Sequence, residues 1–114
     1  MRTVLFFDDV DASSDLTSAV FETPCQQDMR FLIQVTGAGI TGGVPRLFIE
    51  ESVDGSVWTS MINPSNCNTY FDVTDLPVGI KDSYFMGKFM RLRLEANGAT
   101  GGTIWAKMLY KTKV

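Results

Sequence analysis

A glycine-rich stretch in the first half of the chain has the spacing of a dinucleotide-binding turn. Residues 37–42 read GAGITG and match G-x-G-x-x-G, a motif whose glycines let the backbone approach a pyrophosphate at a helix N-terminus. That chemistry needs a strand before the motif and a helix after it. A strand pattern does precede it, but GVP and a second strand pattern follow. The stretch is therefore predicted to be a long flexible connection whose glycines allow positive φ, and not a phosphate-binding site.

Carboxylates offer two further candidate chemistries. Residues 9–15 read DVDASSD and place side-chain oxygens at alternate positions, as a calcium-binding loop does. The stretch lacks the glycine and the glutamate that such a loop carries at its sixth and twelfth positions, so a solvated connection is predicted. Glu50 and Glu51 are adjacent, and on a strand they point to opposite faces, which excludes a catalytic carboxylate pair. One of them is expected to be a surface charge.

The chain contains two cysteines, Cys25 and Cys67, and no histidine. Without histidine, the commonest general base, the usual zinc sites and the histidine-based triads are missing. The apolar run that ends at Phe7 is too short for a signal peptide and has no cleavage site, so synthesis in a cytoplasm is predicted. In that compartment the two thiols are expected to stay unbonded. No cofactor, metal or catalytic residue is predicted.

Length and composition define the class of protein. The 114 residues suffice for one domain, 1–114, with one core. Hydrophobic residues make up 45% and charged residues 20% of the chain, which is typical of a globular protein, and no segment approaches the roughly 18 apolar residues of a membrane span. The net charge of −3 disfavours nucleic-acid binding, which needs clustered Lys and Arg. Neither a nucleic acid nor a membrane is a predicted partner.

Alternation of apolar and polar residues predicts strands along nearly the whole chain. Asp54 and Gly55 lie between two alternating runs, a strong signal for a β-hairpin, and Trp58 is expected to cover that hairpin. The segment 16–23 also fits a capped helical turn. Seven to eight short strands without a clear helix predict an all-β protein, an antiparallel β-sandwich or jelly roll. The candidate strands are 2–7, 16–23, 29–36, 46–53, 57–62, 69–74, 87–96 and 103–112.

Large side chains occupy the outward positions of the last two predicted strands. Because arginine and aromatic residues are enriched at interfaces, these positions are predicted to form one contact surface if the two strands are neighbours. Packing of this face against a sheet edge or a loop is the open alternative. The glycine-rich connections at 37–43 and 97–102 are expected to become ordered against a partner. The interface candidates are Phe89, Arg91, Arg93, Trp105 and Leu109 on the strands, and Gly39, Ile40 and Asn97 in the connections.

The order of these features carries a resemblance to a known family. A polar stretch, two strand patterns and a glycine-rich loop lead to RLFIEESVDGSVW, and the chain closes with KFMRLRLEANGATGGTIWAKMLY. This order resembles the small capsid cement or decoration proteins of tailed bacteriophages. The resemblance implies a structural virion protein, made in the host cytoplasm, that stabilises the phage head. It also implies a homo-oligomer that contacts the major capsid protein or another virion protein.

Other functions stay open at this point. One is a tail or adaptor structural protein. Another is a glycan-binding module in which Trp58, Trp105 or Tyr70 stacks on a sugar ring. A row of exposed aromatic rings would favour glycan binding, and burial of the rings would count against it. An enzyme is the least supported reading, because no nucleophile is paired with a base.

Overall fold

Ten β-strands and no helix make up the regular structure of the residues that the computed structural model describes, which are 2–23, 29–82 and 87–112. They form two antiparallel sheets, which confirms the predicted all-β sandwich class. The count is ten rather than seven to eight, because the predicted strand 16–23 divides into two strands and a further strand at residues 78–82 was not predicted. The strands are β1 Arg2–Asp11, β2 Leu16–Thr17, β3 Phe21–Glu22, β4 Met29–Gly42, β5 Arg46–Ser52, β6 Thr59–Ser60, β7 Phe71–Asp72, β8 Val78–Asp82, β9 Phe89–Glu95 and β10 Ala99–Thr112.

The two sheets enclose one hydrophobic core. Sheet A has the strand order β1-β10-β4-β8, and sheet B has the order β2-β9-β5-β6, with β3 also paired to β9 and β7 to β5. Alternate apolar side chains of both sheets meet between them. The alternation predicts Met90, Leu92, Leu94 and Ala96 as inward positions of 87–96, and Ile104, Ala106, Met108 and Tyr110 as those of 103–112. All of them are buried except Ala96, which follows β9 and is half-buried.

The stretches 37–43 and 97–102, predicted as loops, belong largely to two long strands. β4 and β10 have 14 residues each and pair along nearly their whole length. The register shifts twice at the glycine-rich end, where Gly39 and Gly102 adopt positive φ. Bulges of this kind bend a strand without ending it. The prediction of two flexible connections is therefore wrong, because the glycines bend paired strands.

Backbone packs directly against backbone at this end of the molecule. The Gly43 N–H donates to the Gly98 carbonyl over 3.0 Å. A Cβ atom at Gly43 would fall on the Asn97 carbonyl oxygen, and one at Gly102 would lie 2.8 Å from the Ile40 Cα atom. The two glycine-rich stretches are consequently ordered by each other within the chain.

The short strands at the sheet edges are the elements that the sequence predicts least well. The predicted strands 57–62 and 69–74 contain only β6 and β7, and 16–23 divides into β2 and β3 instead of forming a helical turn. The alternation does not predict β8, because Gly79 and the charged end of this strand interrupt it. These short strands form because they pair with longer neighbours. The local sequence does not show that pairing.

Candidate functional site

The predicted contact surface divides into two surfaces on opposite sides of the molecule. β9 lies in sheet B and β10 in sheet A, so the outward side chains of Phe89 and Arg91 do not join those of Trp105 and Leu109. The condition under which one contact surface was predicted, that the two strands are neighbours, is not met. Both strands carry one apolar stripe that must face the core, and alternation alone does not distinguish strands that pair from strands that face each other across a core.

A buried carboxylate joins two arginines on the outer face of sheet B. Glu50 of β5 is 6% exposed, and its two oxygens accept hydrogen bonds from Arg91 Nε at 2.8 Å and Arg93 Nε at 3.2 Å. Glu50 faces β9 because residues 50 and 91 are directly opposite each other in the antiparallel register. The charged groups predicted as an interface are therefore paired within the chain, and Glu50 is a buried charge.

Three guanidinium groups also stack on aromatic rings of this face. Arg91 lies 4.1 Å from the Trp58 ring centroid and Arg93 lies 3.9 Å from that of Phe48. At the other end, Arg46 lies 4.4 Å from the Tyr70 ring centroid. Such contacts contribute about 0.5–1 kcal/mol each at exposed sites and more when desolvated. We call these residues, with Glu50, the arginine–aromatic layer. Its charged groups and rings have their contact partners within the layer.

The predicted hairpin brings Trp58 to this layer. β5 pairs with β6, and the loop between them is longer than a two-residue turn. The Asp54 carboxylate accepts hydrogen bonds from the backbone N–H groups of Ser56 at 2.8 Å and Val57 at 3.0 Å. Gly55 adopts a φ of 81° and donates to the Ser52 hydroxyl over 2.9 Å. These bonds hold the loop in the shape that places Trp58 against Arg91, which confirms the hairpin.

The hairpin loop predicts a pH-dependent contribution to stability. The Val57, Ser56 and Ser52 hydrogen bonds lower the pKa of Asp54 from its ordinary value of 3.8. Asp54 therefore stabilises the fold at pH values above 3.8, and this contribution is lost as the pH falls through the lowered pKa. In urea denaturation between about pH 7 and pH 2.5, the difference in unfolding free energy between the natural chain and Asp54→Ala should be constant first and narrow below pH 3.8. A difference that widens on acidification would contradict this assignment.

The outer face of sheet A has a different electrostatic character. Arg30 of β4 and Lys111 of β10 are exposed and directly opposite each other, an arrangement of like charges that is destabilising. Lys107 lies on the same face, and the outward positions of the described strands β4 and β10 contain no Asp or Glu. Within residues 2–23, 29–82 and 87–112, no ion pair includes these cations. We call this outer surface of sheet A the basic face.

Apolar side chains fill the spaces between these cations. Leu109 and Leu32 are opposite each other and half-buried, and Leu5 on β1 is 51% exposed. Trp105 is half-buried beneath the Lys107 ammonium, 4.9 Å from its ring centroid. Sheet B covers the other side of these strands, so the basic face is the side that the described chain leaves uncovered.

Comparison with known proteins adds no relative to these observations. The chain matches no protein-family model, no curated protein and no solved structure. The functional argument therefore depends on the two outer faces.

The aromatic rings proposed for glycan stacking do not form a row. Trp58 and Tyr70 lie on the sheet B side and Trp105 lies on the basic face, and each is half-buried. A cation covers one face of each ring. This geometry counts against sugar stacking, because the ring surface that a sugar would use is partly occupied.

The connection residues predicted as interface candidates also have partners in the chain. Ile40 packs against the core, and its N–H donates to the Asp75 carboxylate over 3.2 Å. The Asn97 side chain donates to the Val44 carbonyl over 2.9 Å. Gly39 lies in β4 with open space around its Cα atom. No helix follows residues 37–42, so the motif lacks the geometry of a phosphate site.

The other candidate groups have local roles. The Asp11 carboxylate accepts two hydrogen bonds from Ser13, and Asp15 accepts one from the Ala96 N–H over 2.8 Å. Among residues 2–23, 29–82 and 87–112 there is no group of three metal-ligating side chains, and no helix long and apolar enough to cross a membrane. The Cys67 side chain is exposed. Cys25 lies outside the described residues, so the absence of a bond between the two cysteines stays a prediction.

Proposed function

We propose that this chain is a structural assembly protein that docks through its basic face onto an acidic surface of a partner protein. The observation that carries the proposal is the opposed pair Arg30 and Lys111 on β4 and β10, whose outward positions contain no Asp or Glu among the described residues. Like charges held opposite each other cost stability. An acidic partner would remove that cost on binding and would cover Leu5 and its apolar neighbours.

The contrast between the two outer faces favours sheet A as the docking surface. On sheet B, Arg91 and Arg93 are both paired with Glu50, and their planar groups stack on rings of the same chain. Binding there would have to break contacts that already exist. On the basic face, the cations and leucines keep solvent-accessible surface that a partner can contact.

A virion is the proposed location, and the major capsid protein or another virion protein is the proposed partner. The support is the resemblance in element order to phage capsid cement proteins, together with a β-sandwich in which the described residues leave the basic face uncovered. A tail or adaptor protein would use the same surface chemistry. Fractionation of virions into heads and tails distinguishes these positions. A homo-oligomer is compatible with the proposal, but it would use other surfaces, because two basic faces repel each other.

Charge reversal on the basic face tests the proposal. Lys111→Glu should reduce co-sedimentation with purified virion particles stripped of this protein by at least about ten-fold, because it sets a like charge against an acidic partner. Binding of the natural chain should weaken with added salt. Lys88→Glu, which reverses an exposed charge immediately before β9, away from the basic face, is the control and should bind normally. Equal binding by both variants, or a natural chain that stays unbound, would refute the proposal.

A further inference from the structure

Most edges of the two sheets are protected from further pairing. Along β1 the register shifts twice, between Leu5 and Phe7 and again before Val10. Asp8 and Asp9 are exposed on this strand, and Asp9 has a φ of 48°. Bulges and charges of this kind block edge-to-edge pairing. Sheet B ends in strands of two residues on both sides, which are too short to act as templates.

The edge formed by β8 lacks this protection over its first half. Val78–Asp82 pairs with β4 over five consecutive residues without a register shift. In the part of the chain that the structure describes, no strand pairs with its other side. The charged residues of β8 are its last two, so along Val78, Gly79 and Ile80 the backbone N–H and C=O groups that point away from β4 lie beside apolar side chains. Such an edge is a template for an added strand.

A cleft runs beside this part of β8. It has a volume of about 470 Å³ and lies between β8 and the segment that follows β6. Phe71 and Ile80 are buried in its wall, whereas Ile62 on the rim is 60% exposed. The apolar lining next to an unpaired edge would receive the side chains of a strand that pairs there.

We propose that the β8 edge binds an extended peptide segment of a partner protein, which becomes a fifth strand of sheet A. Alternate residues of an added strand point to opposite faces. One set would enter the cleft, and the other would continue the basic face, where position 81 is in register with Leu32. The bound peptide is therefore apolar at every second residue and acidic at the residues between. This site goes beyond the proposed function, because it requires no virion partner.

A second copy of this chain fits the edge less well. A symmetric β8–β8 pair places both basic faces on the same side of the joined sheet, next to each other. It also brings together two copies of the segment 61–65 that borders the cleft. A peptide meets neither obstacle.

Two synthetic peptides with the same apolar pattern test the proposal. The acidic probe is Glu-Val-Glu-Val-Glu-Val-Glu and the matched control is Lys-Val-Lys-Val-Lys-Val-Lys, both capped at their ends. Titration calorimetry should show that the acidic peptide binds at least about ten-fold more tightly. In amide NMR spectra, the signals of residues 78–80 should shift, and hydrogen exchange should slow at those amides among them that point away from β4.

Two matched variants test whether the acidic peptide binds in the cleft beside β8. Ile62→Asp puts a charge on the cleft rim and should weaken binding of the acidic peptide by at least about ten-fold. Val53→Asp changes a valine that is 77% exposed outside the cleft and should bind as the natural chain does. The proposal is overturned if the acidic peptide does not bind, if Ile62→Asp binds it equally, or if the 78–80 amides report self-association instead. Lys111→Glu can lose particle binding while peptide binding at the cleft persists, so the two proposals fail separately.

Discussion

Gly43→Ala is expected to lower the free energy of unfolding by about 3 kcal/mol, a large effect for the addition of one methyl group. The added Cβ would fall on the Asn97 carbonyl oxygen, and it would lie 2.9 Å from the carbonyl carbons of Asn97 and Gly98. These atoms belong to the backbone, so no side chain can rotate away. Relief requires the turn after β9 to separate from the turn after β4, which breaks the hydrogen bond from Gly43 to Gly98.

Two other glycines serve as controls for this prediction. Gly39 has open space for a Cβ but a φ of +65°, so Gly39→Ala should cost only the left-handed strain of about 1 kcal/mol. At Gly79 a Cβ would meet Leu32 at the ordinary distance of 3.6 Å, and Gly79→Ala should be neutral within about 0.5 kcal/mol. Urea denaturation of the three variants measures the series. Equal losses at Gly43 and Gly39 would show that close backbone contact is not the cause.

The glycine-rich stretches show where sequence reasoning stops. Repeated glycines between two apolar runs predict loops, because glycine weakens a strand and permits positive φ. In this fold the glycines of β4 and β10 come close to each other, and the contact between Gly102 and Ile40 depends on both strands at once. No local pattern contains that information. The same sequence correctly indicates that no helix follows the G-x-G-x-x-G spacing.

The strand alternation predicts which side chains are inside but not which strands are neighbours. Leu92 and Ile104 are correctly predicted to be buried. Their strands lie in opposite sheets, so the outward groups form an arginine–aromatic layer on one side and the basic face on the other. The role of Glu50 was likewise not predictable from the sequence, because a carboxylate on an alternating strand indicates a surface charge until β9 supplies two arginines. The available signal was that Arg46, Phe48 and Glu50 are alternate residues of β5 and therefore share one face of the strand.

Glu50→Gln is expected to reduce the free energy of unfolding by about 2 kcal/mol. Removing one member of a buried ion pair costs about 3–5 kcal/mol when the remaining charge is fully buried. The side chains of Arg91 and Arg93 are 25% and 34% exposed, so water compensates part of the loss. The two guanidinium groups would then lie near each other without the carboxylate between them.

Glu95→Gln provides the matched control, because Glu95 also pairs with Arg93 but is 38% exposed and 3.6 Å away. Exposed pairs contribute about 0–1 kcal/mol, so this variant should lose less than about 0.5 kcal/mol, and added salt should screen the loss. The Glu50→Gln loss should persist in salt. Combining Glu50→Gln with Arg91→Met should cost less than the sum of the two single losses, since the pair is removed together and methionine can pack on Trp58. Additive losses in that double variant, or equal losses at Glu50 and Glu95, would show that the buried carboxylate does not hold the layer together.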